Sequence, residues 1–209
     1  MENILVAGAN GTTGKKIVHL LNESQYFNPI AMVRKEEQVK QFSDKNITTI
    51  LADLEGDLTD TTKNIDKVIF AAGSGGKKVV EVDQEGAKKL IKVSEKHKVK
   101  KFVMLSSMGA DEPENAPKLK EYLKAKHNAD EYLTESDLNY TIVRPGTLSN
   151  NKGVGKIKLS KKLNQSGQIS RDDVAQTLVR SLHDDVANKE AFEILEGKTL
   201  IGRALDNTN

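Results

Sequence analysis

Tyr122 and Lys126 stand four residues apart in a segment with helical periodicity. They therefore share one face of the predicted helix. A lysine ammonium beside a phenol favours the phenolate and lowers the phenol's pKa from about 10. Such a tyrosine exchanges protons with a carbonyl or hydroxyl near neutral pH. Ser106 and Ser107 follow the apolar run Lys101 to Leu105, where either hydroxyl is placed to hydrogen-bond the same oxygen. Tyr122, Lys126, Ser106 and Ser107 form the candidate catalytic set.

A second constellation is built for binding. Ile4-Leu5-Val6-Ala7 runs into Gly8-Ala9-Asn10-Gly11-Thr12-Thr13-Gly14, and Ile17, Val18, Leu20 and Leu21 then recur at helical steps. The order is strand, glycine turn, helix. The first glycine permits the tight turn, the second lets the backbone approach a bulky anion, and the third lets helix and strand pack closely. The free N–H groups of the helix start face that anion, and a nucleotide pyrophosphate is the usual occupant. Asn10, Thr12 and Thr13 lie within this turn.

The elements that position these residues alternate. Strands are expected at Pro29–Val33, Ile47–Leu51, Lys67–Ala72, Lys101–Leu105, Asn139–Val143 and Ala191–Leu195. Helices are expected at Glu36–Phe42, Val79–His97, Lys118–Glu135, from an N-cap at Ser170 to Leu182, and at Thr199–Leu205. This rhythm predicts an α/β fold, a doubly wound parallel sheet of Rossmann type in the order 3-2-1-4-5-6-7, with helices on both faces. The whole chain, 1–209, reads as one domain. Residues 147–170 break the rhythm and read as a lid or substrate excursion, with a short strand near Lys156–Leu159.

In such a sheet ligands bind at the carboxyl ends of the strands. Arg34 and Lys35 end the second strand, where an acid would bond a ribose 2′-hydroxyl. Two cations there favour NADP(H) over NAD(H). Asp53-Leu54 ends the third strand; Asp53 is placed to accept from an adenine amino group or to cap the next turn. Ala71, Ala72 and Gly73 end the fourth, and Pro145 and Gly146 follow the sixth.

The 209 residues carry a formal net charge of +2, against a dedicated nucleic-acid surface. There is no cysteine, so thiol chemistry and disulfides are excluded, and the four histidines show no metal-ligand spacing. No metal site is expected. No apolar run approaches the roughly 20 residues that span a bilayer, and the start of the chain lacks a leader pattern. A cytoplasmic globular protein, monomeric or homodimeric, is the expectation.

Taken together, the Gly8–Gly14 turn, Asp53-Leu54, Ser106-Ser107, Tyr122-x-x-x-Lys126 and Arg144-Pro145-Gly146 resemble the short-chain dehydrogenase/reductase superfamily. The resemblance is closer to its atypical branch of NmrA-like, biliverdin reductase B-like and small bacterial NAD(P)-binding proteins. It implies that Gly8, Gly11 and Gly14 hold the pyrophosphate with Asn10, Thr12 and Thr13 adding donors, Arg34 the 2′-phosphate and Asp53-Leu54 the adenine. It places Ala71 to Gly73 along the adenosine and nicotinamide side, and Lys126 on the nicotinamide ribose. Tyr122 becomes the general acid/base, Ser106 or Ser107 orients the substrate oxygen, and Pro145 and Gly146 flank the nicotinamide. The expected function is NADPH-dependent reduction of a small carbonyl, quinone or flavin-like substrate. The alternatives are an NADP(H)-sensing regulatory protein without turnover and, third, an NAD-dependent epimerase or dehydratase.

Overall fold

The computed structural model describes residues 1–206 and Thr208. Its chain order is β1 (Glu2–Ala7), α1 (Thr12–Asn22), β2 (Phe27–Val33), α2 (Glu36–Ser43), β3 (Thr48–Leu51) and β4 (Lys67–Phe70). A π-helical stretch (Val79–Gly86) leads into α3 (Ala87–Lys96), β5 (Lys101–Leu105), α4 (Lys120–Thr134) and β6 (Tyr140–Pro145). Then come β7 (Thr147–Ser149), β8 (Lys156–Ser160), β9 (Gln168–Ser170), α5 (Arg171–Arg180), β10 (Glu190–Glu196), β11 (Thr199–Leu200) and α6 (Ile201–Asp206). Ser170 is the N-cap of α5 as expected, its Oγ accepting from the Asp173 N–H.

The main sheet has the order β11-β8-β10-β6-β5-β4-β1-β2-β3. From β3 to β10 all neighbours are parallel. With β10 as the seventh expected strand, that part has the order read from the sequence. Along β1, Ile4 and Val6 enter one core with α1, α5 and α6, while Leu5 and Ala7 enter the other with α3 and α4. Burial on both faces is why these strands are continuous apolar runs.

One expectation is corrected. The helix predicted over Val79–His97 begins as a π-helix over Val79–Gly86 and is α-helical only from Ala87. Gly86 ends it where a Cβ would stand 2.8 Å from Leu54 Cβ. The excursion, expected as a lid, is stitched to the body. β7 pairs with β9, and β8 pairs antiparallel with both β10 and β11, extending the main sheet by two strands. Asp173, buried at the start of α5, accepts from the Val154 and Gly155 N–H groups at 3.1 and 2.7 Å.

The amino ends of the central strands β4 and β5 are closed by two buried lysines. Lys67 Nζ meets the Leu182 carbonyl at 2.8 Å and the Glu2 and Asp184 carboxylates at 2.7 and 2.6 Å. Lys101 Nζ donates to the His183 and Val186 carbonyls and to Asn188 Oδ1. Each ammonium thus carries its charge into the interior with its donors satisfied. No helix among the described residues is long and apolar enough to cross a membrane.

Candidate functional site

A cavity of about 1020 Å³ opens along the carboxyl ends of β1 to β5. That is the edge where an open parallel sheet binds ligands. Gly8, Asn10, Gly11, Thr12 and Thr13 form its floor. Gly8 has φ +86°, and a Cβ there would lie 2.6 Å from the Ala72 backbone. It is needed both for the left-handed turn and for contact with the end of β4. Gly14 lies behind the floor, where a Cβ would meet the Gly8 carbonyl oxygen at 2.1 Å. Its contribution is to let α1 sit against the turn. Gly11 is the N-cap of α1, with no side-chain cap and no acid in the first turn. The helix therefore presents its first N–H groups and positive dipole end without a protein counter-charge.

The fit of this cradle to a dinucleotide has a second mark. Asn10 Oδ1 and Ser74 Oγ are buried without hydrogen-bond partners among the described residues, and both residues line the cavity. Buried polar atoms are ordinarily satisfied, so a polar occupant at this wall accounts for them.

Arg34 stands exposed on the wall at the end of β2, and its guanidinium has no ion pair among the described residues. Lys35 lies outside the lining, turned to Glu37 at 3.2 Å. Of the two expected cations, geometry retains Arg34. Asp53 and Leu54 line the next stretch; one Asp53 oxygen already accepts from the Glu55 N–H at 3.0 Å, as an end cap would. Ala71, Ala72 and Gly73 line it too. Pro145 and Gly146 do not. Gly146 instead packs against Leu195 and Gly167, where a Cβ would stand 2.4 and 2.6 Å from their atoms.

Tyr122 and Lys126 both reach the cavity from α4, with the Lys126 ammonium 5.8 Å from the Tyr122 ring centroid. The ammonium is not free beside the phenol. It lies 3.2 Å from Asp83 Oδ1, with both side chains almost wholly buried. Asp83 Oδ2 accepts from the Ser74 N–H at 2.9 Å, tying the loop after β4 to the same carboxylate. Ser106 also lines the cavity, but its hydroxyl donates to Asp130 Oδ2 at 2.8 Å. In this arrangement the hydroxyl hydrogen points to Asp130 and not into the cavity. Ser107 lies outside the lining, its Oγ 3.4 Å from the Met108 carbonyl.

Asp130, fully buried, also accepts from Arg144 Nε at 3.0 Å. Burial pushes its carboxyl pKa upward, against the opposing pull of Arg144, Ser106 and Lys126. Asp83, Asp130 and Arg171 were missed by the sequence reading. Arg171 enters the wall from the start of α5, held by Asn150 Oδ1 at 2.9 Å. The signal for the two acids was a carboxylate on an inward-facing helical stripe. Among the described residues no cluster of His, Cys, Asp and Glu could hold a metal ion.

The parallel sheet, the uncapped helix and the glycine cradle define a Rossmann protein of the NAD(P)-binding kind. Residues 8–185 match the NAD(P)H-binding family, and the chain belongs to it. It is 40% identical over 210 residues to the uncharacterized sugar epimerase YhfK of Bacillus subtilis, covering 97% of this chain and 98% of YhfK. It is also similar to a Bacillus halodurans structure proposed to be an NAD-dependent epimerase/dehydratase, with TM-score 0.94, 36% identity and coverage of 99% and 100% of the two chains. The oxidoreductase ylbE of Lactococcus lactis superposes with TM-score 0.89 at 32% identity, covering 98% of this chain and 95% of that one.

Proposed function

We propose that this protein is an NADPH-dependent reductase of a small carbonyl, quinone or flavin-like substrate. The observation that carries the reading is one cavity lined by the uncapped start of α1, the unpaired guanidinium of Arg34 and the phenol of Tyr122. The N–H groups of Thr12 and Thr13, with the Gly8–Gly11 turn, would hold the pyrophosphate. Arg34 would take the 2′-phosphate as a charge-assisted pair, and Asp53 and Leu54 would bracket the adenine. Lys126, held by Asp83, would donate to the nicotinamide ribose. A bound reduced nicotinamide supplies the hydride that reduces the substrate. Tyr122 would give the proton that turns a carbonyl oxygen into a hydroxyl, and the phenolate would regain a proton from solvent.

The epimerase names of two relatives describe chemistry with no net redox change. A 2′-phosphate site favours the cofactor of net reduction, and the name of the Lactococcus lactis oxidoreductase agrees. The test is calorimetric titration of nucleotide-stripped protein with NADPH and NADH, for the wild type and Arg34→Ala. NADPH is expected to bind at least about tenfold tighter, with the gap collapsing in the variant. Equal binding of both nucleotides by the wild type removes the NADP preference; no binding of either removes the reductase.

A further inference from the structure

Ser106 is a cavity-wall hydroxyl whose proton is already committed. Its partner, Asp130 Oδ2, accepts from Arg144 Nε at 3.0 Å as well as from Ser106 Oγ at 2.8 Å. The Arg144 guanidinium favours the ionised form of the oxygen it donates to, so a proton taken up by Asp130 would sit on Oδ1. The direction of the Ser106–Asp130 bond therefore stands whether or not the other carboxyl oxygen is protonated. That other oxygen, Asp130 Oδ1, is buried without a hydrogen-bond partner. Asp130 is fully buried and Ser106 is 3% exposed, so water does not compete for the bond. The serine rotor is locked with its O–H pointing away from a ligand. A hydroxyl has one donor and two acceptor lone pairs, so what it offers the cavity is an acceptor.

We propose that Ser106 selects a hydrogen-bond donor in the cavity, an N–H or O–H, and that Asp130, backed by Arg144, is the positioning residue that fixes this polarity. This rests on the reading of the cavity as a dinucleotide-dependent reductase site. The donor has two sources there, the carboxamide N–H of the nicotinamide or the hydroxyl of the alcohol that is the reduced substrate. In either case a carbonyl oxygen placed against Ser106 finds lone pairs instead of a proton. Tyr122 remains as the donor for that oxygen.

The experiment compares matched ligands that differ by one donor. NADPH is paired with reduced 3-acetylpyridine adenine dinucleotide phosphate, in which a methyl ketone replaces the carboxamide. Benzyl alcohol is paired with benzyl methyl ether, each titrated onto the NADP⁺ complex. The wild type is expected to favour the donor-bearing member of one pair by about tenfold, because the ligand without it leaves Ser106 unpaired. Ser106→Ala should shrink that gap to about twofold or less. A gap confined to the nucleotide pair assigns the donor to the carboxamide; one confined to the second pair assigns it to the substrate hydroxyl. Asp130→Asn keeps an oxygen that accepts both hydrogen bonds and should keep the gap, whereas Asp130→Ala frees the rotor and should lose it. If Asp130→Ala fails to fold, the Ser106→Ala comparison decides the acceptor role and Asp130→Asn must still match the wild type. Gaps in both pairs unchanged by Ser106→Ala overturn the inference while leaving dinucleotide binding intact. A wild type that takes up no NADPH takes down the reductase reading and this inference together.

Discussion

Tyr122 lines the cavity with no hydrogen bond to its hydroxyl among the described residues, so the proton it exchanges is free to meet a ligand. Tyr122→Phe is expected to lower carbonyl reduction by about 100-fold or more while leaving the NADPH dissociation constant unchanged. Turnover equal to wild type would instead point to direct reduction of a flavin-like acceptor, with no protein acid. At this scale the sequence was uneven. Gly8 and Arg34 were legible because strand ends in a parallel sheet converge on one edge, and Tyr122 through its helical spacing from Lys126. The partners of Lys126 and Ser106 were not. Asp83 and Asp130 come from two different helices, and only the packing of those helices beside β4 and β5 reveals which groups they hold. A four-residue spacing brought Tyr122 and Lys126 together correctly, yet it could not show that a carboxylate from another helix takes the ammonium.

Among the elements, α1 has the least tolerance. Gly14→Ala would drive a Cβ to 2.1 Å from the Gly8 carbonyl oxygen, so the helix must back away from the turn. NADPH binding is expected to be lost by calorimetry and the melting temperature to fall, a strain of about 2 kcal/mol or more. The excursion depends on Asp173, which takes two backbone N–H groups and the Ser170 hydroxyl. Asp173→Ala should cost about 2–4 kcal/mol in urea unfolding and raise hydrogen exchange at Val154 and Gly155. Unaltered exchange there would mean that the β8 pairing alone holds the segment. The strand at 156–159 was legible from its short apolar alternation. Its partners were not, because antiparallel addition to β10 joins stretches more than thirty residues apart and no local turn announces it. The π-helical start of the third helix was hidden for a related reason: over eight residues its inward positions nearly coincide with those of an α-helix.

For the whole molecule, the buried cations beneath the sheet set a pH dependence. Burial, with the Lys67 charge nearby, pulls Lys101 down to about 8, against Asp184 and Asp185. Its folded value lies below its unfolded value of about 10.4, so above pH 8 the unfolded chain binds more protons. The cost of the buried ammonium is therefore full below pH 8 and is relieved as the pH rises toward 10.4. Lys101→Met should remove that slope, so the stability difference between variant and wild type, followed by urea unfolding from pH 7 to 10, should shift by an amount on the order of 3 kcal/mol. A difference that stays flat across that range would mean the three acceptors hold the ammonium charged throughout. The overall parallel architecture was legible from the alternation of apolar runs and helices, whereas this lower clasp joins residues whose lysines read, in sequence, as ordinary strand-flanking charges. The position of β1 between β2 and β4 has a consequence for synthesis. β1 is an interior strand of the finished sheet, and after its synthesis one of its edges waits for Lys67–Phe70. At about 5–20 residues per second that wait lasts roughly 3–13 s. During it, Ile4–Ala7 presents an apolar, unpaired edge, so the nascent chain is most exposed to wrong partners at the stretch that later carries the nucleotide turn.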